Sequence, residues 1–190
     1  MNILELLAEI ERNHIIGIVG MLGDGKTISG VSMVGLFQLL NESLGTHRSI
    51  LSNVPLSIDH ELLEHYEQLE ERKETLIFID EIHQNADSRS WQAQSNFFTT
   101  GITMDVRKYQ NKFFYTSQYS NQVEKRIRQL TTLWIKPRQL HHLVFDLTLA
   151  NFNYNSDYEH VIVNLDPLKT LYDTLYKPVP LTSESDDDYI

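Results

Sequence analysis

Three glycines fall within six residues, at Gly20, Gly23 and Gly25, directly behind the apolar run Ile15-Ile16-Gly17-Ile18-Val19 and directly before Lys26 and Thr27. Glycine weakens both strand and helix, so the cluster makes sense where the backbone itself must approach a ligand. The spacing is that of G-x-x-x-x-G-K-[ST]. Such a loop turns successive amide N–H groups inward as a nest for phosphate oxygens, at the positive end of the helix that follows. Gly20, Met21, Leu22, Gly23, Asp24, Gly25, Lys26, Thr27 and Ile28 are therefore the expected nucleotide contacts. Lys26 is placed to reach the β and γ phosphates and the Thr27 hydroxyl to bind Mg²⁺, so ATP with Mg²⁺ is the expected ligand pair.

The motif needs a strand before it and a helix after it, and the pattern supplies both. "HIIGIV" reads as a buried strand, and residues 25–41 as a helix burying Ile28, Val31, Val34 and Leu36 to Leu40. Residues 3–12 read as an amphipathic helix. "RSILSNV" reads as a short strand ended by Pro55, and "TLIFID" and "KFFYTSQ" as further buried strands. "SIDHELLEHYEQLEERKE" and "SNFFTTGITMDVRKYQ" read as helices between them, and "NQVEKRIRQL" as a short helix after the last. "TLWIKP", "LVFDLTLANF" and "EHVIVNL" read as a β extension, closed by a helix over "DPLKTLYDTLY". This alternation predicts an α/β fold: a mainly parallel sheet flanked by helices, with a C-terminal β extension. The expected organisation is one domain over 1–181, its core at about 14–135, and an acidic flexible tail over 182–190.

Ligands of such sheets bind at the carboxyl ends of the strands. "TLIFIDEIH" ends there in Asp80 and Glu81. Asp80 is the expected Mg²⁺ partner, through water, and Glu81 the general base for an attacking water. Adjacent carboxylates favour hydrolysis over transfer to a small acceptor. "KFFYTSQ" ends in Thr116, Ser117 and Gln118, and Gln118 is the candidate contact for the γ-phosphate or the water. Arginine supplied by a neighbouring subunit stabilises charge in ring ATPases. Arg107 is the first candidate and Arg89 the second, with Arg126 and Arg128 open beside them. His141, His142 and the other histidines lack partners at metal-ligand spacing. "FNYNSDY" reads as a strand face or packing surface.

The net charge of −10 is unevenly spread. Residues 59–81 hold nine acids against two bases, whereas residues 104–138 hold eight of the sixteen Lys and Arg against two acids. An acidic chain with one basic segment still offers a polyanion a local footprint. Absence of cysteine excludes disulfides and thiolate chemistry. No apolar run approaches the ~18 residues of a membrane span.

Through "GMLGDGKT", "LIFIDE", "FFYTSQ", "VRK" and "KRIRQL", the chain resembles P-loop ATPases of the FtsK–HerA superfamily. Within it, the likeness is to the genome-packaging NTPases of archaeal turreted icosahedral viruses. The resemblance spans residues 14 to about 135. It implies a RecA-like core, a homo-oligomeric ring with six subunits favoured, and ATP-driven translocation of double-stranded DNA into a preformed capsid. It also implies a capsid or vertex protein as partner, and a place in the host cytoplasm or the virion. Lys26, Thr27, Asp80, Glu81 and Gln118 take the family's nucleotide roles, and Arg107 its arginine finger. A related group, the zonula-occludens-toxin-like ATPases, shares "TSQ"-type strands and segments like "SNVPL". Its typical members carry a membrane anchor, and none is expected here. An assembly or secretion ATPase is accordingly the second reading, and a small P-loop kinase the third.

Overall fold

The computed structural model of the protein describes residues 1–70, 72–82, 103–150, 157–171, 178 and 181. Its strands are β1 (Ile15–Val19), β2 (Ser49–Ser52), β3 (Glu61–Leu62), β4 (Thr75–Ile79), β5 (Lys112–Ser117), β6 (Leu133–His141), β7 (Val144–Ala150) and β8 (Asp157–Asn164). Its helices are α1 (Ile3–Arg12), α2 (Lys26–Ser43), α3 (Thr103–Lys108) and α4 (Lys125–Leu130). The described strands form one sheet in the order β3-β2-β4-β5-β1-β6-β7-β8. Pairing is parallel from β3 across to β6 and antiparallel from β6 to β8. The mainly parallel sheet and its C-terminal extension are as the sequence predicts.

Every residue of β1, β4 and β5 is buried, which is why these segments read as continuous apolar runs without alternation. Along β1, Ile16 and Ile18 join one apolar cluster with α1, α2 and Phe145, Leu147 and Leu149 of β7. Ile15 and Val19 join a second with Val106 of α3 and Ile127 of α4. Helices thus cover both faces. α2 packs so closely that a Cβ on Gly30 would sit 2.6 Å from the Phe78 ring. Val31, Val34 and Phe37 of α2 are buried as expected, but Leu39 is exposed. The small residues Ser29, Gly30 and Ser32 are buried in its place.

One predicted helix does not form among the described residues. The described residues of the segment 57–74 form β3 and a 3₁₀ turn at Tyr66–Leu69. The buried Leu63, Tyr66 and Leu69 recur every three residues, the 3₁₀ period. β3 gains ladder bonds from β2, with Leu63 N–H donating to Ser52 O at 2.8 Å. Tertiary pairing therefore overrides the helical propensity of the glutamates. The closing segment is likewise 3₁₀ over Asp166–Leu171, and β6 runs on through Pro137 to His141. Residues 95–102, where the sequence predicts helix, and the acidic tail 182–190 lie outside the described residues.

α1 starts on a reciprocal cap between Asn2 and Glu5 and ends on a buried amine. The Lys112 Nζ donates to the carbonyls of Ile10 (3.2 Å), Glu11 and Asn13 (2.9 Å). It satisfies the orphan acceptors of a helix C-terminus from inside the sheet. Burial lowers its pKa from 10.5 to about 8, with the Glu11 carboxylate pulling the other way. Lys112→Met should cost about 2–4 kcal/mol of stability, because it strands those carbonyls. Between pH 8 and 10.5 the unfolded chain binds more protons at this site than the folded one. The advantage of wild type over Lys112→Met therefore grows as pH rises through that window. Urea titrations across it measure both effects, and a gap independent of pH would refute the second.

Candidate functional site

The loop from Gly20 to Thr27 joins β1 to α2 at the carboxyl edge of the sheet. Gly23 and Gly25 hold φ of +89° and +83°, a region open to glycine at no steric cost. Asp24 closes the turn twice. Its N–H donates to Met21 O at 3.2 Å, and its carboxylate accepts from Met21 N–H at 2.5 Å. α2 then begins with no side-chain cap and no acid in its first turn, which leaves its N-terminal amides and positive end for an anion. Lys26 is buried, and its Nζ donates to Met21 O at 3.0 Å, inside the arc of the loop.

Asp80 leaves β4 buried, 3% exposed. The Thr27 hydroxyl donates to its carboxylate, 3.0 Å from each oxygen. The Thr116 hydroxyl donates to Oδ1 at 2.6 Å. Burial raises the pKa of Asp80 and the Glu81 charge adds to the rise, while Thr116, Thr27 and Lys26 oppose it. A desolvated carboxylate beside a threonine hydroxyl is a hard-oxygen donor set of the kind Mg²⁺ takes. Thr27, in the first turn of α2, and Asp80, directly after β4, are the residues that fit such an ion.

Two residues that build this junction carry no assigned role from sequence. Thr116 also accepts from the Glu81 N–H at 2.8 Å, so one hydroxyl fixes both acids of the strand end. Glu81 holds φ of +50°, an uncommon conformation for a non-glycine residue at a strand end. Asn53, fully buried at the end of β2, clamps the Asp80 backbone. Its Oδ1 accepts from Asp80 N–H at 2.7 Å, and its Nδ2 donates to Asp80 O at 3.1 Å. A polar residue at the carboxyl end of a buried strand is the only signal either position gives in the sequence.

Gln118 follows β5, whose Ser117 pairs with Val19 of β1. It lines a cleft of about 440 Å³ with Gly20, Met21, Asp24, Tyr119 and Lys136. Gln118 and the phosphate loop thus share one cavity. Arg107 is exposed in the last turn of α3 and lines a different cleft with Arg12, His14 and Ile15. That cleft is at the amino edge, where β1 begins. Arg128 donates to Ser120 O at 3.4 Å, near Gln118, and Arg126 is exposed beside it. Arg89 lies outside the described residues. No helix among the described residues is long and apolar enough to cross a membrane.

The chain overlays the N-terminal domain of zonular occludens toxin from Neisseria meningitidis with a TM-score of 0.58 at 16% identity, covering 85% of this chain and 100% of that one. It overlays a second solved structure, an ATPase domain, with a TM-score of 0.52 at 8% identity, covering 88% and 89%. The genome packaging NTPase B204 from Sulfolobus turreted icosahedral virus 2 overlaps more loosely, with a TM-score of 0.47 at 10% identity over 78% and 98%. That looser overlap carries no weight. No family model matches the chain, and no curated protein does. Together with the topology above, the first two overlays give the chain a RecA-like P-loop NTPase fold.

Thr116→Val keeps the shape of the side chain but removes a donor from a buried carboxylate. It should cost about 1–3 kcal/mol at neutral pH. The deficit shrinks as pH falls and Asp80 takes up a proton, because only the ionised form demands the donor. Thermal unfolding of both proteins over a pH series gives the comparison: an equal deficit throughout would place the cost in the lost Glu81 N–H bond and not in the carboxylate, and no deficit would mean that Thr116 merely packs.

Proposed function

We propose that the protein is an ATP-hydrolysing motor that translocates double-stranded DNA, in the role of packaging a viral genome into a preformed capsid. The observation that carries the hydrolytic part is the junction in which Thr27, Asp80, Thr116 and Glu81 meet beside the phosphate loop. The amides of the loop and Lys26 hold the β and γ phosphates. Thr27 and Asp80, the latter through water, would hold Mg²⁺, whose charge would screen the phosphates. Glu81 orients a water toward the γ-phosphorus and takes its proton as the bond to the bridging β–γ oxygen breaks, giving ADP and inorganic phosphate. Gln118 contacts the γ-phosphate or that water. An arginine of a neighbouring copy, Arg107 or Arg89, stabilises the charge that develops. This role requires a homo-oligomeric ring, for which six subunits are proposed, docked on a capsid or vertex protein in the host cytoplasm or the virion.

The DNA part is supported by the motif resemblance and by charge. Lys125, Arg126 and Arg138 are exposed, and Lys136 lines the cleft that holds Gln118. The overlay that spans the whole toxin domain favours a second reading, an assembly or secretion ATPase.

Steady-state ATP hydrolysis with and without long double-stranded DNA separates these readings. DNA should stimulate wild type, the stimulation should fall with rising salt, and Glu81→Gln should lose a factor of about 10² or more. Hydrolysis indifferent to DNA would remove the translocase in favour of a protein-moving ATPase. ATP binding without hydrolysis would point to phosphoryl transfer to another acceptor.

A further inference from the structure

The loop is not held by its own residues alone. Gly25, at the junction of loop and helix, meets an aromatic ring from β7, far along the chain. A Cβ on Gly25 would lie 2.7 Å from Phe145 Cζ and closer still to Cε1. The edge of the ring therefore fills the space that any other residue would need. Phe145 is 2% exposed and belongs to the core cluster under α2. It is gripped from both sides, paired with Gln139 of β6 and Val163 of β8. β7 runs antiparallel to β6, so Phe145, near its start, stands at the same carboxyl edge of the sheet as the loop.

A loop with glycines at 20, 23 and 25 has many conformations to lose when it closes on an anion. Among the described residues its other restraints are the Met21–Asp24 turn, the Lys26 bond to Met21, the first helical bond, from Ser29 N–H to Gly25 O at 2.9 Å, and, beyond Gly25 in the first turn of α2, the Thr27 hydroxyl on Asp80. Phe145 is the wall that a distant strand places against Gly25 itself. We propose that Phe145 is a positioning residue for the phosphate loop, holding Gly25 in its left-handed conformation so that the amides after it already face the anion. The link to nucleotide rests on the ATPase reading above; the effect on the loop does not.

The test is hydrogen exchange at the Asp24 and Ser29 amides, whose bonds to Met21 and Gly25 report the loop and the first turn. It is run on nucleotide-free wild type, Phe145→Ala, Phe145→Leu and Leu149→Ala, with ATP affinity measured in parallel. Leu149 lies on the same strand and in the same core cluster, but farther from the loop. Its loss lowers global stability without touching Gly25. Phe145→Ala should speed exchange at both amides about tenfold, and weaken ATP by a similar factor if the competent loop falls to about a tenth of the population. Phe145→Leu should recover part of both. Exchange in Phe145→Ala equal to wild type, or an equal rise in Leu149→Ala, would overturn the proposal. If Phe145→Ala does not fold, Phe145→Leu against Leu149→Ala decides by the same measure. Failure of wild type to bind ATP would defeat the ATPase reading and leave the exchange comparison standing.

Discussion

A buried carboxylate is the constraint around which the site is arranged. Asp80 is 3% exposed, and an isolated charge at that depth is untenable. The fold answers from three elements at once. α2 sends the Thr27 hydroxyl, β5 sends that of Thr116, and the end of β2 sends the Asn53 amide to hold the backbone. None of these is close to another in sequence. The same contacts that make Asp80 tolerable therefore fix the order β2-β4-β5 and the angle at which α2 meets the sheet. Removing the charge would relax the junction and also remove its reason to exist.

Compensation is incomplete, and that is informative. Two hydroxyl donors and a nearby lysine do not bring the carboxyl back to its ordinary range; its pKa stays raised. The site retains an appetite for positive charge, and the Thr27 oxygen lies at its edge. The phosphate loop has the opposite need, since α2 starts uncapped and without an acid in its first turn. A polyphosphate carrying a divalent cation satisfies both, which is a tighter condition than either half sets alone.

How much of this is readable from the chain divides by range. The loop, Asp80, Glu81 and Gln118 are local words, each a few residues long at a strand end, and their place at the carboxyl edge is legible. So are the buried strands, since a strand covered on both faces keeps its polar residues to its ends and reads as an apolar run between them. The segment 57–74 misleads because its glutamates favour a helix, while the pairing that wins, β3 on β2, depends on a strand earlier in the chain. Its three-residue apolar spacing is the available clue. Thr116 shows in the sequence as part of a polar strand end, but its two hydrogen bonds, to the Asp80 carboxylate and from the Glu81 N–H, exist only once β4 and β5 lie side by side. Asn53 gives only a polar letter at a strand end, and Phe145 gives no sign at all. Both act on residues that the sequence identifies, from positions that only the sheet order brings near.

The sheet also sorts the arginines. Arg107 opens onto the amino edge with Arg12 and Ile15, and the phosphate loop leaves the carboxyl edge after Val19. The length of β1 separates the two edges, about 16 Å, with buried side chains between. Arg107 cannot turn toward its own loop without leaving α3. Any role it has at a phosphate must therefore be at the loop of another molecule. Arg128, tied to Ser120 just beyond Gln118, stands on the side of its own loop and is open to a role within the same chain. Arginines that sequence leaves as alternatives thus answer to different geometries. One requires an assembly and the other does not.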